Sequence, residues 1–173
     1  MVDESDRMIR LVNDLLLLAR ADAGRSLAKE PLALQPLLEE SIRQADHLAP
    51  ERDITLESSP DLVIVADRDA VKQIMLILLD NALKHPDGGI QVMAGLRNSQ
   101  VEIRVQDHGP GIAADMLERV FDRFYRGDEA AIQPGFGLGL PIARALIEGM
   151  GGTIAIETEL GQGSTVVLRC PAA

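Results

Sequence analysis

Aromatic side chains are almost missing from this chain: 173 residues include no tryptophan, one tyrosine and three phenylalanines. The core must therefore be aliphatic. All four rings, Phe121, Phe124, Tyr125 and Phe136, fall in one stretch of the chain. A single cysteine excludes an internal disulfide framework and fits a reducing compartment. Cys170 reads as a small buried hydrophobe on the last strand. No apolar run approaches the roughly 18 residues needed to cross a bilayer, and no signal-peptide pattern opens the chain, so it reads as soluble. Basic residues are too few and too scattered to hold a nucleic acid: 17 Lys and Arg stand against 27 Asp and Glu, a formal net charge of -10. Any anionic ligand must be gripped locally.

The length fits one domain with an appendage. Met8, Leu11, Leu15, Leu18 and Asp22 recur at spacings of three and four, with Val12 and Ala19 widening the stripe. This predicts an amphipathic helix over about Asp3 to Ala23, stopped at Gly24. Such a helix needs a partner, either another helix from a second chain or its own domain. A second helical pattern covers Leu34 to Leu48 and stops before Pro50. Ile54 to Glu57 and Leu62 to Ala66 read as strands. Asp67 can cap a long helix running to His85, after which Pro86-Asp-Gly-Gly89 forces a turn. Ile90 to Leu96 and Val101 to Val105 alternate as a hairpin around Arg97-Asn-Ser-Gln100. A further helix ends near Met150, and Thr153 to Glu157 and Thr165 to Arg169 read as strands joined through Gly161-Gln-Gly163. The pattern predicts an α+β fold: a two-layer sandwich of a mixed sheet with helices on one face, preceded by an amphipathic helix.

Two glycine-rich turns flank the aromatic stretch. In Asp107-His-Gly-Pro-Gly-Ile112, Gly109 and Gly111 permit close backbone approach, and Asp107 ends an apolar alternating run, where its carboxylate suits an amino group. In Gly135-Phe-Gly-Leu-Gly-Leu140 the glycines Gly135, Gly137 and Gly139 lead into a helix with Pro141 in its first turn, whose free amides suit phosphate. Between them, Asp128 to Pro134 reads as a mobile lid. Neither a P-loop nor the third glycine of a dinucleotide fingerprint is present. At the end of the long helix, Asn81, Lys84 and His85 share a face. Asn81 offers an oxygen to a hard cation and Lys84 a point charge to phosphate, although polar residues at a helix end are more often a solvated face.

Taken in order, Asp80-Asn-Ala-Leu-Lys-His85, Asp107-His-Gly-Pro-Gly-Ile112, Phe121-Asp-Arg-Phe-Tyr-Arg126, Gly135-Phe-Gly-Leu-Gly-Leu140 and Gly161-Gln-Gly-Ser-Thr165 resemble the N, G1, F, G2 and G3 boxes of sensor histidine kinases. The resemblance is to their catalytic ATP-binding domain, of Bergerat type. Met8 to Arg25 resembles the second helix of their dimerisation and phosphotransfer domain, dividing the chain into residues 1–26 and 27–173. The resemblance implies that Asp107 accepts from the adenine amino group, with Gly109, Gly111 and Ile112 lining the base pocket and Thr165 closing it through a water. Asn81 would coordinate Mg²⁺, and Lys84 and His85 would reach the phosphates or flank the base. Gly135, Gly137, Leu138, Gly139 and Leu140 would wrap the phosphates. Tyr125 would anchor the lid with Phe121 and Phe124, while Arg123 and Arg126 would meet the γ-phosphate or the partner domain.

The implied activity is protein-histidine kinase: transfer from ATP to a histidine on a helix not found in these residues, for a response regulator. A homodimer through the first helix, a cytoplasmic location and an inner-membrane anchor in other segments are further implications. One departure stands out, since the family's second N-box asparagine is replaced by Ile77. That removes a metal ligand, and it also disfavours a hydrolytic ATPase, which places a glutamate there. A protein serine kinase, or a regulatory nucleotide-binding or dimerisation module without phosphotransfer, are the alternatives.

Overall fold

The computed structural model describes residues 4–23, 27–85, 88–127 and 135–173. The expected stop at Gly24, the first half of the Pro86 to Gly89 turn and the lid over Asp128 to Pro134 lie outside the described residues. In chain order the elements are α1 (Glu4–Asp22), β1 (Glu30–Ala33), α2 (Leu34–Leu48), β2 (Ile54–Ser58), β3 (Val63–Ala66) and α3 (Arg68–Leu83). There follow β4 (Ile90–Arg97), β5 (Gln100–Gln106), α4 (Ala114–Leu117), α5 (Gly139–Gly149), β6 (Thr153–Glu159) and β7 (Gly163–Pro171).

Five strands form one sheet in the order β2-β4-β5-β7-β6. β2 runs parallel to β4 and every other pair is antiparallel, so the sheet is mixed, as expected. Cross-strand rows such as Val92, Val105, Val166 and Ile156, or Ala94, Ile103, Leu168 and Ile154, turn aliphatic side chains to one face. Leu34, Leu37 and Leu38 of α2, Ile74 and Leu78 of α3, and Ile142 and Leu146 of α5 join the same buried cluster. Ile103 has no exposed surface, so truncating it to alanine would cost about 3 kcal/mol.

The sheet's other face is open and charged. Glu102, only 7% exposed, is met there by Arg104 at 3.2 Å and Arg169 at 3.1 Å. Burial raises its pKa, but the hydrogen bond from Arg104 and the charges of Arg169 and Arg104 outweigh that and hold its carboxyl below the usual range.

Local chemistry explains most boundaries. The Asp67 carboxylate accepts from Ala70 N at 3.0 Å, capping α3 as its side chain predicts, and its second oxygen accepts from Ala28 N. The β4–β5 turn is tighter than the four residues expected, because Asn98 and Ser99 adopt φ of 48° and 64° and close a two-residue hairpin. Sequence patterning missed β1. It is four residues long, contains Pro31, and is defined only by its antiparallel pairing with β3.

α1 forms where predicted but in a different phase. Leu18 is buried, and Leu11, Leu17 and Ala21 pack partly against the core, whereas Met8 and Leu15 from the expected stripe are 61% and 40% exposed. The helix is apolar on two sides. One side docks beside α5 on its own domain, and Met8, Ile9, Val12, Leu15 and Leu16 remain outside.

Candidate functional site

Where β5 ends, Asp107 is locked by the backbone around it. Its N–H donates to Ser164 O at 2.9 Å, and its Oδ1 accepts from Gly109 N at 2.8 Å and from Ser164 N at 3.3 Å. Two amides thus aim one carboxylate oxygen and leave Oδ2 to accept from a ligand. The fit is close: a Cβ on Gly163, which has φ +99°, would stand 2.1 Å from Asp107 O. Gly111, with φ +76°, meets Glu159 O in the same way at 2.3 Å. Ile112 N donates to Thr158 Oγ1, and Gly161 N to Pro110 O, so the loop after β5 lies clasped against the β6–β7 turn.

The register corrects one expected role. Thr165 pairs with Gln106 and Glu157, and because side chains alternate along a strand, it turns to the open face, away from Asp107. Ser164 takes the inward place instead, with its amide on Asp107 and its hydroxyl 3.0 Å from Thr158 Oγ1. Ser164, Gly163 and Thr158 are the residues that motif reading passed over at this end. In the sequence, the alternation of β7 signals only that the two hydroxyls face opposite ways, and the pairing with β5 shows which is inward.

The other end is made by helices. Leu138, the N-cap of α5, makes no side-chain capping bond, and Ile142 N takes the Leu138 carbonyl. The amides of Gly139 and Leu140 therefore have no partner within the helix, and Pro141 has no N–H to satisfy. These amides and the helix dipole form an anion-receptive end. Asn81 and Ile77 of α3 face it: a Cβ on Gly139 would lie 3.1 Å from Ile77 Cγ2 and 4.0 Å from Asn81 Oδ1. Lys84 Nζ donates to Asn81 Oδ1 at 3.1 Å and lies 3.3 Å from Asp80 Oδ2. The same ammonium is 3.6 Å from the Cβ position of Gly135. Gly137, with φ +70°, fits against the Tyr125 carbonyl, while its own carbonyl accepts from Phe124 N at 3.0 Å. His85 brings the two ends together, its ring resting on Gly109 so closely that a Cβ there would stand 2.8 Å from His85 Cγ.

The aromatic stretch is less of a core than its composition suggests. Phe124 is 59% exposed, with φ +63°. Tyr125 stacks under the Arg119 guanidinium at 4.4 Å, and Arg126 is half-buried at the end of the described segment. Arg123 turns from the phosphate end to α1, where it meets Asp22 at 2.6 Å. α1 touches the site twice more. Arg7 lies 5.3 Å over the Phe136 ring, and the Asp14 carboxyl is pushed up chiefly by burial, with Arg10 lowering it, Asp80 raising it and Lys84 lowering it.

A carboxylate aimed by two amides and an anion-receptive helix end thus lie on either side of His85 and Lys84 at the end of α3. A family model for histidine kinase-, DNA gyrase B- and HSP90-like ATPases matches residues 66–173. The chain belongs to that family. A probable sensor histidine kinase of Mycobacterium tuberculosis is 43% identical over 152 residues, covering 87% of this chain and 40% of the relative. The sensor protein SrrB of Staphylococcus aureus is 37% identical, over 98% of this chain and 30% of its own length. The chain therefore spans well under half of these curated relatives. Among solved structures, full-length ShkA in complex with AMPPNP superposes with a TM-score of 0.85 at 34% identity, covering 98% of this chain and 37% of ShkA. The catalytic domain of histidine kinase ThkA, in a nucleotide-free form, gives 0.74 at 26%, covering 84% of this chain and 96% of that domain. The likeness to sensor histidine kinases and the α+β fold expected from the sequence both stand.

Proposed function

We propose that this chain is the ATP-binding catalytic module of a sensor histidine kinase, with residues 27–173 as the catalytic domain and residues 1–26 as part of a dimerisation and phosphotransfer helix. The observation that carries this reading is the Asp107 carboxylate, aimed by two amides, with the free N-terminal amides of α5 on the far side of His85 and Lys84. Adenine would bind at Asp107 with Gly109, Gly111 and Ile112 beside it and His85 along its edge. The phosphates would run to Gly137, Gly139 and Leu140.

Mg²⁺ fits this donor set in one way only. Asn81 supplies one neutral oxygen near the phosphate end, Ile77 supplies none, and no cluster of three or more His, Cys, Asp or Glu able to hold a metal occurs among the described residues. Asn81 would therefore be the single protein ligand, the remaining oxygens coming from phosphate and water. Bound there, the ion would neutralise phosphate charge. Lys84 would add a point charge once it leaves Asn81. The nucleophile is a histidine nitrogen from a helix outside these residues: it forms a bond to the γ-phosphorus as the bond to the bridging oxygen breaks and ADP departs. This chain contributes position and electrostatics, and no side chain of it need act as a base.

The uncovered apolar face of α1, Met8, Ile9, Val12, Leu15 and Leu16, supports a homodimer through that helix. A response regulator would receive the phosphoryl group. No helix among the described residues is long and apolar enough to cross a membrane. As a sensor-kinase module the chain would work on the cytoplasmic side. The test is transfer from γ-labelled ATP to a phosphoacceptor helix supplied in trans. Acid-labile label on that helix is the expected result, and bound nucleotide with label on no acceptor contradicts it.

A further inference from the structure

Between α3 and β4, His85 and Gly88 are held from one side by Arg52, which no nucleotide motif contains, and Gly89 from the other by His108. Arg52, in the turn between α2 and β2, donates from one terminal nitrogen to His85 O at 2.5 Å and from the other to Gly88 O at 3.0 Å. Its neighbour Asp53 accepts from Ile90 N at 2.8 Å. From the opposite side, His108 Nδ1 lies 2.9 Å from Gly89 O, and since a carbonyl only accepts, that nitrogen carries the proton. Gly88, with φ +74°, lets the segment pass at a distance where a Cβ would stand 2.7 Å from His108 Cβ.

A planar guanidinium can hold two carbonyls in fixed relation, whereas an ammonium is a single point donor. The Arg52 Nε is buried without a partner, a cost that an arginine merely covering surface would not incur. Its effect runs inward: Arg52 sets the His85 carbonyl, the His85 ring rests on Gly109, and Gly109 N aims Asp107 Oδ1.

Resting on the nucleotide-pocket reading above, we infer that Arg52 is a positioning residue for purine recognition, acting through His85 and Gly109 on Asp107 with no contact to the nucleotide. It makes the preference for adenine depend on a residue from the α2–β2 turn. Its path ends at the base end, so phosphate grip should be untouched.

The test uses the whole chain with Arg52→Gln and Arg52→Lys, titrated with ATP and with GTP by calorimetry, and with amide hydrogen exchange followed at Gly109. Arg52→Gln is expected to weaken ATP at least about fivefold while changing GTP by less than about twofold. Arg52→Lys should fall between it and the wild type. Exchange at Gly109 should speed up in both variants, and in an Asp107→Asn background Arg52→Gln should have little further effect on ATP. Unchanged ATP affinity with unchanged Gly109 exchange overturns the inference, as does an equal loss for both nucleotides or an undiminished effect in the Asp107→Asn background. If Arg52→Gln does not fold, Arg52→Lys carries the same readouts alone. A wild-type chain that binds no nucleotide would sink the proposed function instead, and Gly109 exchange would still decide whether the clamp exists.

Discussion

The two ends of the proposed nucleotide site are built differently. At the base end, backbone meets backbone: Gly163 against Asp107 and Gly111 against Glu159 leave no space for a Cβ, and the recognition oxygen is aimed by amides. The phosphate end joins the free backbone amides of α5 to side chains from α3. Lys84 is shared between Asn81 and Asp80, and α1 reaches the surroundings through Arg7, Asp14 and Asp22. Interlocked backbone has few alternative arrangements, whereas a long side chain changes rotamer at small cost. Under the proposed function, the base end is preformed, whereas the Lys84 contact with phosphate would form only when the ligand arrives, within reach of α1.

Changes at the base end should therefore be the more damaging. Gly163→Ala forces a methyl against Asp107 O at a backbone angle that suits glycine, and should cost about 3 kcal/mol or more of stability and abolish ATP binding. Denaturant melts and calorimetry would show both, and a stable variant that still binds ATP would break the contrast. Lys84→Met should weaken ATP about tenfold by removing a charged phosphate contact. It should leave the ratio of ATP to GTP affinity as it was, and a shifted ratio would mean that the ends are not separable.

The Asp14 carboxyl sharpens the link to α1. Its folded pKa is raised, so its contribution to stability is complete below the carboxylate range and is lost as pH rises through the folded value. Asp14→Asn should accordingly be more stable than the wild type at neutral pH, with the gap closing in acid. Thermal melts across pH would check this, and a constant gap would point to a cause other than ionisation. The smallest effect expected is for Arg123→Ala. Both partners of that ion pair are about half exposed, so its removal should cost no more than about 1 kcal/mol and leave nucleotide affinity unchanged.

Much of this architecture was legible where one residue or one period decides the outcome. α2 was predicted with its observed bounds because its apolar spacing stops before Pro50, and the Asp67 cap follows from a carboxylate standing before an apolar helix. Where two solutions share one pattern, the sequence could not choose. α1 carries apolar residues on two sides, and only docking beside α5 selects Leu18 over Leu15. Thr165 and Ser164 are adjacent hydroxyls, and only the pairing of β7 with β5 decides which faces Asp107. Arg52 leaves no motif, because its partners are the carbonyls of residues far along the chain.

If Asp107 reads a purine amino group in a preformed base site, titration of the chain and of Asp107→Asn with ATP and GTP will show it. The wild type should prefer ATP, and Asp107→Asn should lose about tenfold to a hundredfold in ATP affinity with little change for GTP. ATP affinity left intact by that substitution would contradict it.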